Sequence, residues 1–198
     1  MNDCPINLDS NPMKPWKTLS RKTILEWNEF LTVESHDIQL PDGSVIEKWP
    51  WLRTPDFINV VAITPDHQFV MMEQVKYGID GMSLAPVGGY IDPGESPAVA
   101  AKRELMEETG YQADQWTSLG TFRVDPCRGG GMANFFLAEQ CRQVCAPNAD
   151  DLEEQRLVLL TQREVEQALD THQIKSLAWI TVVLMALREL EKRAGSEF

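Results

Sequence analysis

Glu104, Glu107 and Glu108 crowd into one short stretch, G-Y-I-D-P-G-E-S-P-A-V-A-A-K-R-E-L-M-E-E-T-G-Y, which runs from Gly89 to Tyr111. On a helix turning about 100° per residue they share one face, with Glu104 and Glu108 one turn apart. Like charges at that spacing destabilise a helix by a few tenths of a kcal/mol. A hard cation seated on the cluster removes that cost, and carboxylate oxygens beside a Gly-rich loop suit Mg²⁺ or Mn²⁺. Arg103 lies four residues before Glu107 and can pair with it, holding that carboxylate in place.

The helix itself is well specified. Ser96 is a suitable N-cap, and Pro97 sits at the first helical position, where its missing N–H costs nothing. A-V-A-A-K-R-E-L-M-E-E-T favours helix, and Gly110 fits the left-handed residue that ends it. Ala98, Ala101 and Leu105 form the stripe expected to face a core.

The rest of the chain supplies elements to hold this helix. Residues 1 to about 15 read as a loose tail. Trp16 to Val33 is mixed, with Trp16, Ile24, Trp27 and Phe30 as packing residues. Two strands flank an Asp42-Gly43 turn. F-I-N-V-V-A-I-T is a nearly continuous buried strand, and Q-F-V-M-M-E-Q-V-K is the next, with Met71 and Met72 in the core. Leu84 to Ile91 is short and Gly-rich and leads into the acidic helix. Q-W-T-S-L-G-T-F-R-V and M-A-N-F-F-L-A-E-Q are two more strands, joined by the loop D-P-C-R-G-G-G. An acidic loop from Asn148 to Glu154 precedes the strand Q-R-L-V-L-L. Thr161 and Glu164 form a capping-box pattern, and a final helix runs from about Lys175 to Arg193. Strands on both sides of one central helix predict a mixed sheet packed between helices.

Composition narrows the function classes. A chain of 198 residues with formal charge −12 has room for a real core and lacks the basic surface that nucleic acid requires. Any anionic substrate needs cations at the site to reverse that field. No basic region followed by an apolar run opens the sequence, and no apolar run is long enough to span a bilayer, so a cytoplasmic protein is expected. Cys4, Cys127, Cys141 and Cys145 form no paired C-x-x-C framework, which fits reduced thiols. His36, His67 and His172 are scattered and read as surface or core filler.

The acidic stretch resembles the Nudix box, G-x5-E-x7-R-E-U-x-E-E-x-G-U with U apolar. Gly89, Glu95, Arg103, Glu104, Leu105, Glu107, Glu108 and Gly110 match in register, and Tyr111 is the one departure, an aromatic where an aliphatic residue is usual. The resemblance extends to the ADP-ribose pyrophosphatase and nucleotide-sugar hydrolase branch. It is carried by the P-D-G turn at Pro41 to Gly43, Q-x-K-Y at Gln74 to Tyr77, G-G-Y-I-D-P-G-E, and Pro126, which falls 16 residues past the last glycine of the box. It implies an α/β (α+β type) fold, a Nudix-like α/β/α sandwich with a mixed sheet plus a small N-terminal β region. The expected division is residues 1–55 as a tail and strand region able to dimerise, and 56–198 as the hydrolase domain.

The resemblance also implies roles. Glu104 and Glu108 are expected as metal ligands, with Glu107 close by and the Gly88 carbonyl as a further ligand. Glu95 is expected to brace the loop. The base for the water is expected from the acidic loop, with Glu154 ahead of Glu153, unless that loop is simply solvated. Lys76, Arg53, Arg123 and Arg128 are candidates to meet phosphate or are surface charges. Lys76 stands where the branch more often has Arg and acts as a point charge. Arg128 sits in the Gly-rich loop after Pro126, where backbone can approach a ligand. Trp49 and Trp51 share a strand face, and stack on a nucleobase or pack. The implied activity is Mg²⁺-dependent (or Mn²⁺-dependent) hydrolysis of ADP-ribose to AMP and ribose 5-phosphate by a homodimer. Other substrates in view are GDP-mannose, ADP-glucose, NADH and dinucleoside polyphosphates. A non-catalytic ADP-ribose-sensing module is the alternative from another class.

Overall fold

The structure is a computed structural model that describes residues 13–148 and 154–195. The chain divides into two compact units, residues 1–54 with 125–130, and residues 55–124 with 131–198.

The first unit is an antiparallel meander of β1 (Lys17–Trp27), β2 (Leu31–Gln39) and β3 (Val45–Arg53). The β2–β3 turn forms where the sequence places it. Gly43 has φ +90°, and Asp42 Oδ1 accepts from the Ser44 amide at 2.9 Å and its hydroxyl at 2.6 Å. The mixed stretch before it departs from expectation, because it makes a long hairpin instead of core. Trp16, Ile24, Trp27 and Phe30 are all exposed within the chain. Charged residues interleave with the apolar ones along β1, so no face of that strand is apolar enough to bury. At the turn, Asn28 takes φ +46° and its side chain accepts from the Phe30 amide at 3.0 Å, a use of Asn that no Gly or Pro advertises.

The second unit is a mixed sheet between helices. Its central order is β10 (Gly129–Glu139), β4 (Phe57–Ile63), β5 (Phe69–Val75) and β12 (Gln155–Leu160). β10 runs parallel to β4, and β4–β5 and β5–β12 are antiparallel. β6 (Met82–Ala85) pairs with β5, β7 (Val87–Tyr90) with β4, and β9 (Gln115–Asp125) with β10. The segment from Leu84 to Ile91, read as one element, is therefore parts of two strands broken at Pro86, which cannot donate to a ladder. Two short strands, β8 (Tyr111–Gln112) and β11 (Arg142–Gln143), pair with each other. They are too short to leave a periodic signature.

Alternation along β4 divides the core. Ile58, Val60 and Ala62 face α1 (Pro97–Thr109) with Ala100, Ala101 and Leu105. Val61 and Ile63 face α2 (Gln162–Asp170) and α3 (Leu177–Gly195) with Val165, Val182, Val183 and Ala186. Met71 and Met72 are buried, one on each side. This is the expected α/β/α sandwich with a mixed sheet.

The ends of α1 follow the sequence. Ser96 Oγ accepts from the Val99 amide, Pro97 opens the helix, and Gly110 closes it at φ +73°. A Cβ at Gly110 would overlap the Cys145 carbonyl, so both conformation and space require glycine. The buried stripe is rotated from expectation. Ala98 is exposed and Ala100 takes its place beside Ala101, Leu105 and Thr109. That rotation leaves Glu104 and Glu108 half-buried beside the stripe and Glu107 in solvent. Leu105 is wholly buried, so Leu105→Ala is expected to cost about 2–5 kcal/mol, read as a lowered denaturant midpoint with unchanged m-value.

Candidate active site

Three carboxylates gather around one guanidinium, and a fourth is held by strand backbone beside them. Arg103 reaches back from α1 to the loop that precedes it. Its Nε donates to Glu95 Oε1 at 3.0 Å and its Nη2 to Glu95 Oε2 at 2.9 Å, a two-bond fork. Nη2 also donates to the Tyr90 carbonyl at 3.0 Å. Nη1 donates to Glu104 Oε1 at 2.7 Å and Glu107 Oε2 at 3.1 Å. The Arg103 pKa is raised, first by the bond to Glu95, and the Glu95 carboxyl is held below its ordinary value of 4.5, first by the bond from Arg103. Glu95 also accepts from the Asp92 amide at 3.2 Å, closing the loop D-P-G-E on itself.

The second component is the Gly88-Gly89 backbone at the end of β7. The Gly88 amide donates to Glu108 Oε2 at 3.1 Å. In an extended strand the N–H and C=O of one residue point to the same edge, so the Gly88 carbonyl faces the edge where Glu108 lies. A Cβ at Gly89 would overlap the Glu104 carboxylate, and one at Gly88 would overlap the Asn59 amide. Both glycines are there because side chains fill the space a Cβ would take. Gly88, Glu104, Glu107, Glu108 and Arg103 are thus brought together, with Glu95 as a sixth member.

This donor set suits a hard divalent cation. Three carboxylates bond a single guanidinium and Glu108 sits one helical turn from Glu104, and hard oxygen donors of this kind are what Mg²⁺ or Mn²⁺ selects. Among the described residues no three His, Cys, Asp or Glu side chains are grouped so as to hold a metal ion, because Arg103 draws three of the four acids onto itself.

The remaining candidates have other settings. Lys76 follows β5 directly, and Glu154 precedes β12. Gln155 pairs with Gln74, so Glu154 lies at the same end of that strand pair as Lys76. Glu153 lies outside the described residues. In the first unit, Arg53 is 3.3 Å from Glu34, and Arg128 is 2.8 Å from Asp125. Asp125 also accepts from the Cys127 and Arg128 amides, which shapes the turn that Pro126 enters. Trp49 donates to the Cys127 carbonyl at 2.7 Å and meets Trp16 edge-on. Trp51 stacks on His36, with ring centroids 5.4 Å apart. His36 is buried against Glu34 at 2.8 Å, the core-filling setting allowed for it.

Two features of the site escaped the sequence reading. The Arg103–Glu95 fork spans eight residues, from loop to helix, and no local spacing rule covers it. Asn59 had a signal: it is the lone carboxamide in the apolar run F-I-N-V-V-A-I-T.

The site is thus an acidic helix docked on a diglycine strand end inside a mixed-sheet sandwich. Residues 53–195 match the family model described as NUDIX domain, and the chain belongs to that family as a Nudix pyrophosphohydrolase. It is 29% identical over 153 residues to a "Methanol dehydrogenase activator" of Bacillus methanolicus, spanning 77% of this chain and 80% of that one. It is 28% identical over 157 residues to an "ADP-ribose pyrophosphatase" of Bacillus subtilis (77% and 83% covered). It is 32% identical over 131 residues to "ADP compounds hydrolase NudE" of Escherichia coli (62% and 69% covered). The fold is that of a crystal structure of an ADP compounds hydrolase, with TM-score 0.77, 22% identity, and 93% and 98% of the two chains covered.

Gly89→Ala pushes on the far end of a flexible side chain, so it should leave the thermal midpoint nearly unchanged while lowering turnover at least tenfold by displacing Glu104. Glu95 carries a depressed folded pKa. Its contribution is present above pH 4.5 and is lost as pH falls through the lowered folded value. Glu95→Gln should therefore destabilise by about 1–2 kcal/mol at neutral pH and flatten the fall in melting temperature below pH 4.5.

Proposed function

We propose that the chain hydrolyses the diphosphate bridge of a nucleoside diphosphate linked to another group, with ADP-ribose as substrate and Mg²⁺ as cofactor, Mn²⁺ serving as a substitute. The products are AMP and ribose 5-phosphate. Water adds to one phosphorus of the P–O–P bridge, that bridge breaks, and the bridging oxygen leaves on the other phosphate. The observation that carries this is the Arg103-centred set of acids docked on the Gly88-Gly89 backbone. Two of the relatives are named for ADP-containing substrates.

Glu104, Glu108 and the Gly88 carbonyl would hold the cation, with Glu107 at the solvent side. A bound divalent cation supplies charge neutralisation on the phosphates and an acidified water. Arg103 fixes the acids in one orientation, so little reorganisation is needed when substrate arrives. Glu154 takes the proton of the attacking water, and Lys76, at the same end of the β5–β12 pair, faces phosphate charge. For Arg53, Arg128, Trp49 and Trp51, the partners in the structure favour holding the first unit together over contacting substrate.

The proposal includes a homodimer formed through the β1–β2 hairpin, which leaves Trp16, Ile24, Trp27 and Phe30 exposed on a single chain. It includes a cytoplasmic setting, supported by free Cys127, Cys141 and Cys145 and by the absence, among the described residues, of any helix long and apolar enough to cross a membrane. The net charge of −12 supports a small-molecule substrate over nucleic acid.

The test is product release from ADP-ribose, ADP-glucose, GDP-mannose, NADH and diadenosine polyphosphates, with Mg²⁺ or with EDTA. ADP-ribose is expected to lead, EDTA to abolish release, and Glu108→Gln to lower turnover by orders of magnitude without unfolding the protein. Equal turnover in the mutant contradicts the assignment of Glu108. Cleavage led by another nucleotide keeps the site and changes the substrate. Bound but uncleaved ADP-ribose supports the sensing module instead. For the dimer, light scattering should give twice the chain mass, and Trp27→Glu should halve it.

A further inference from the structure

Asn59 is placed where the proposed metal site meets the core. It sits mid-strand on β4 opposite Gly88 on β7 and is 3% exposed. Strand alternation puts it on the side of Val61 and Ile63, the face of the sheet opposite α1. Its Nδ2 donates to the Val87 carbonyl at 3.4 Å. Its Oδ1 is buried and has no hydrogen-bond partner among the described residues. An unsatisfied buried acceptor is destabilising, and a well-packed apolar residue of the same size would avoid that cost. A strand otherwise made of Phe, Ile, Val and Ala would gain stability from such a residue.

Its contacts point to a reason for keeping it. The planar amide lies against Gly88 so closely that a Cβ there would overlap it. On the other face, the Glu104 carboxylate lies equally close to Gly89. At the strand edge the Gly88 amide is held by Glu108. The diglycine backbone is therefore gripped from both faces and along its edge, and Asn59 is the only one of the three side chains that is not an acid.

We propose that Asn59 is a positioning residue for the metal site. Its amide sets the position of the Gly88 peptide from the face opposite the acids, and its Oδ1 provides the acceptor for a donor that arrives with the loaded site. This rests on the reading that Glu104, Glu108 and the Gly88 carbonyl hold a divalent cation. Groups that orient ligands in this way typically change metal affinity by about 10–100-fold when removed.

The experiment measures Mn²⁺ affinity of the full chain by electron paramagnetic resonance, without substrate, alongside melting temperature in EDTA. Four proteins are compared: wild type, Asn59→Leu, Val61→Ala and Glu108→Gln. Val61 is wholly buried on the same strand and face, so its truncation reports a structural effect alone. Asn59→Leu is expected to match or exceed the wild-type melting temperature and to bind Mn²⁺ at least tenfold more weakly. Val61→Ala is expected to melt lower and to keep wild-type affinity. Asn59→Ala replaces Asn59→Leu if leucine does not fold, with the same expected loss. Wild-type affinity in the Asn59 variant, with Glu108→Gln weakened, overturns the role of Asn59 alone. No Mn²⁺ binding by the wild type overturns the metal reading itself.

Discussion

A single guanidinium organises the candidate site. Glu95, Glu104, Glu107 and Glu108 repel one another, and three of them would splay into solvent without a common partner. Arg103 bonds to those three and to the Tyr90 carbonyl, tying the loop, the helix and the strand end together. The fork to Glu95 is the best protected part, because both side chains are largely shielded from water there. Charge-assisted bonds in such a setting are worth about 1.5–3 kcal/mol each. The arrangement leaves a surplus of negative charge around one cation, which is the electrostatic condition for accepting a divalent ion beside an anionic substrate.

The fold exists, for this purpose, to deliver α1 onto the end of β7. Leu105, Ala100 and Ala101 bury one side of the helix against Ile58, Val60 and Val87. That burial fixes the rotation of the helix about its axis, and the rotation puts Glu104 and Glu108 at the level of the diglycine backbone. The small side chains matter here, since two alanines let the helix approach the sheet closely enough for carboxylates to touch strand backbone. Gly110 ends the helix one residue after its last buried position, where the Cys145 carbonyl leaves no room for a side chain.

Much of this was legible in the sequence because it depends on local rules. Ser96, Pro97 and Gly110 announce the ends of α1, the Asp42-Gly43 pair announces its turn, and the box residues announce the acid cluster. The rest depends on contacts distant in sequence. Ala98 and Ala100 are equally good helix residues, and only the sheet decides which is buried. The exposed β1 strand and the turn after it read as packing because of their apolar residues, yet interleaved charges keep both faces of β1 wet. Asn59 is a single polar letter in an apolar word, and its significance comes from the strand opposite. The Trp49, Trp51, Arg53 and Arg128 candidates look like ligand groups by type, whereas their partners His36, Glu34, Asp125 and Cys127 become visible only in three dimensions.

The central claim is that Glu104, Glu108 and the Gly88 carbonyl converge on one divalent cation. Anomalous diffraction from crystals soaked in Mn²⁺ tests it directly. The account predicts a strong peak in contact with both carboxylates and the Gly88 oxygen, with Arg103 still bonded to Glu95. A peak elsewhere, or none at a concentration that supports hydrolysis, would contradict it.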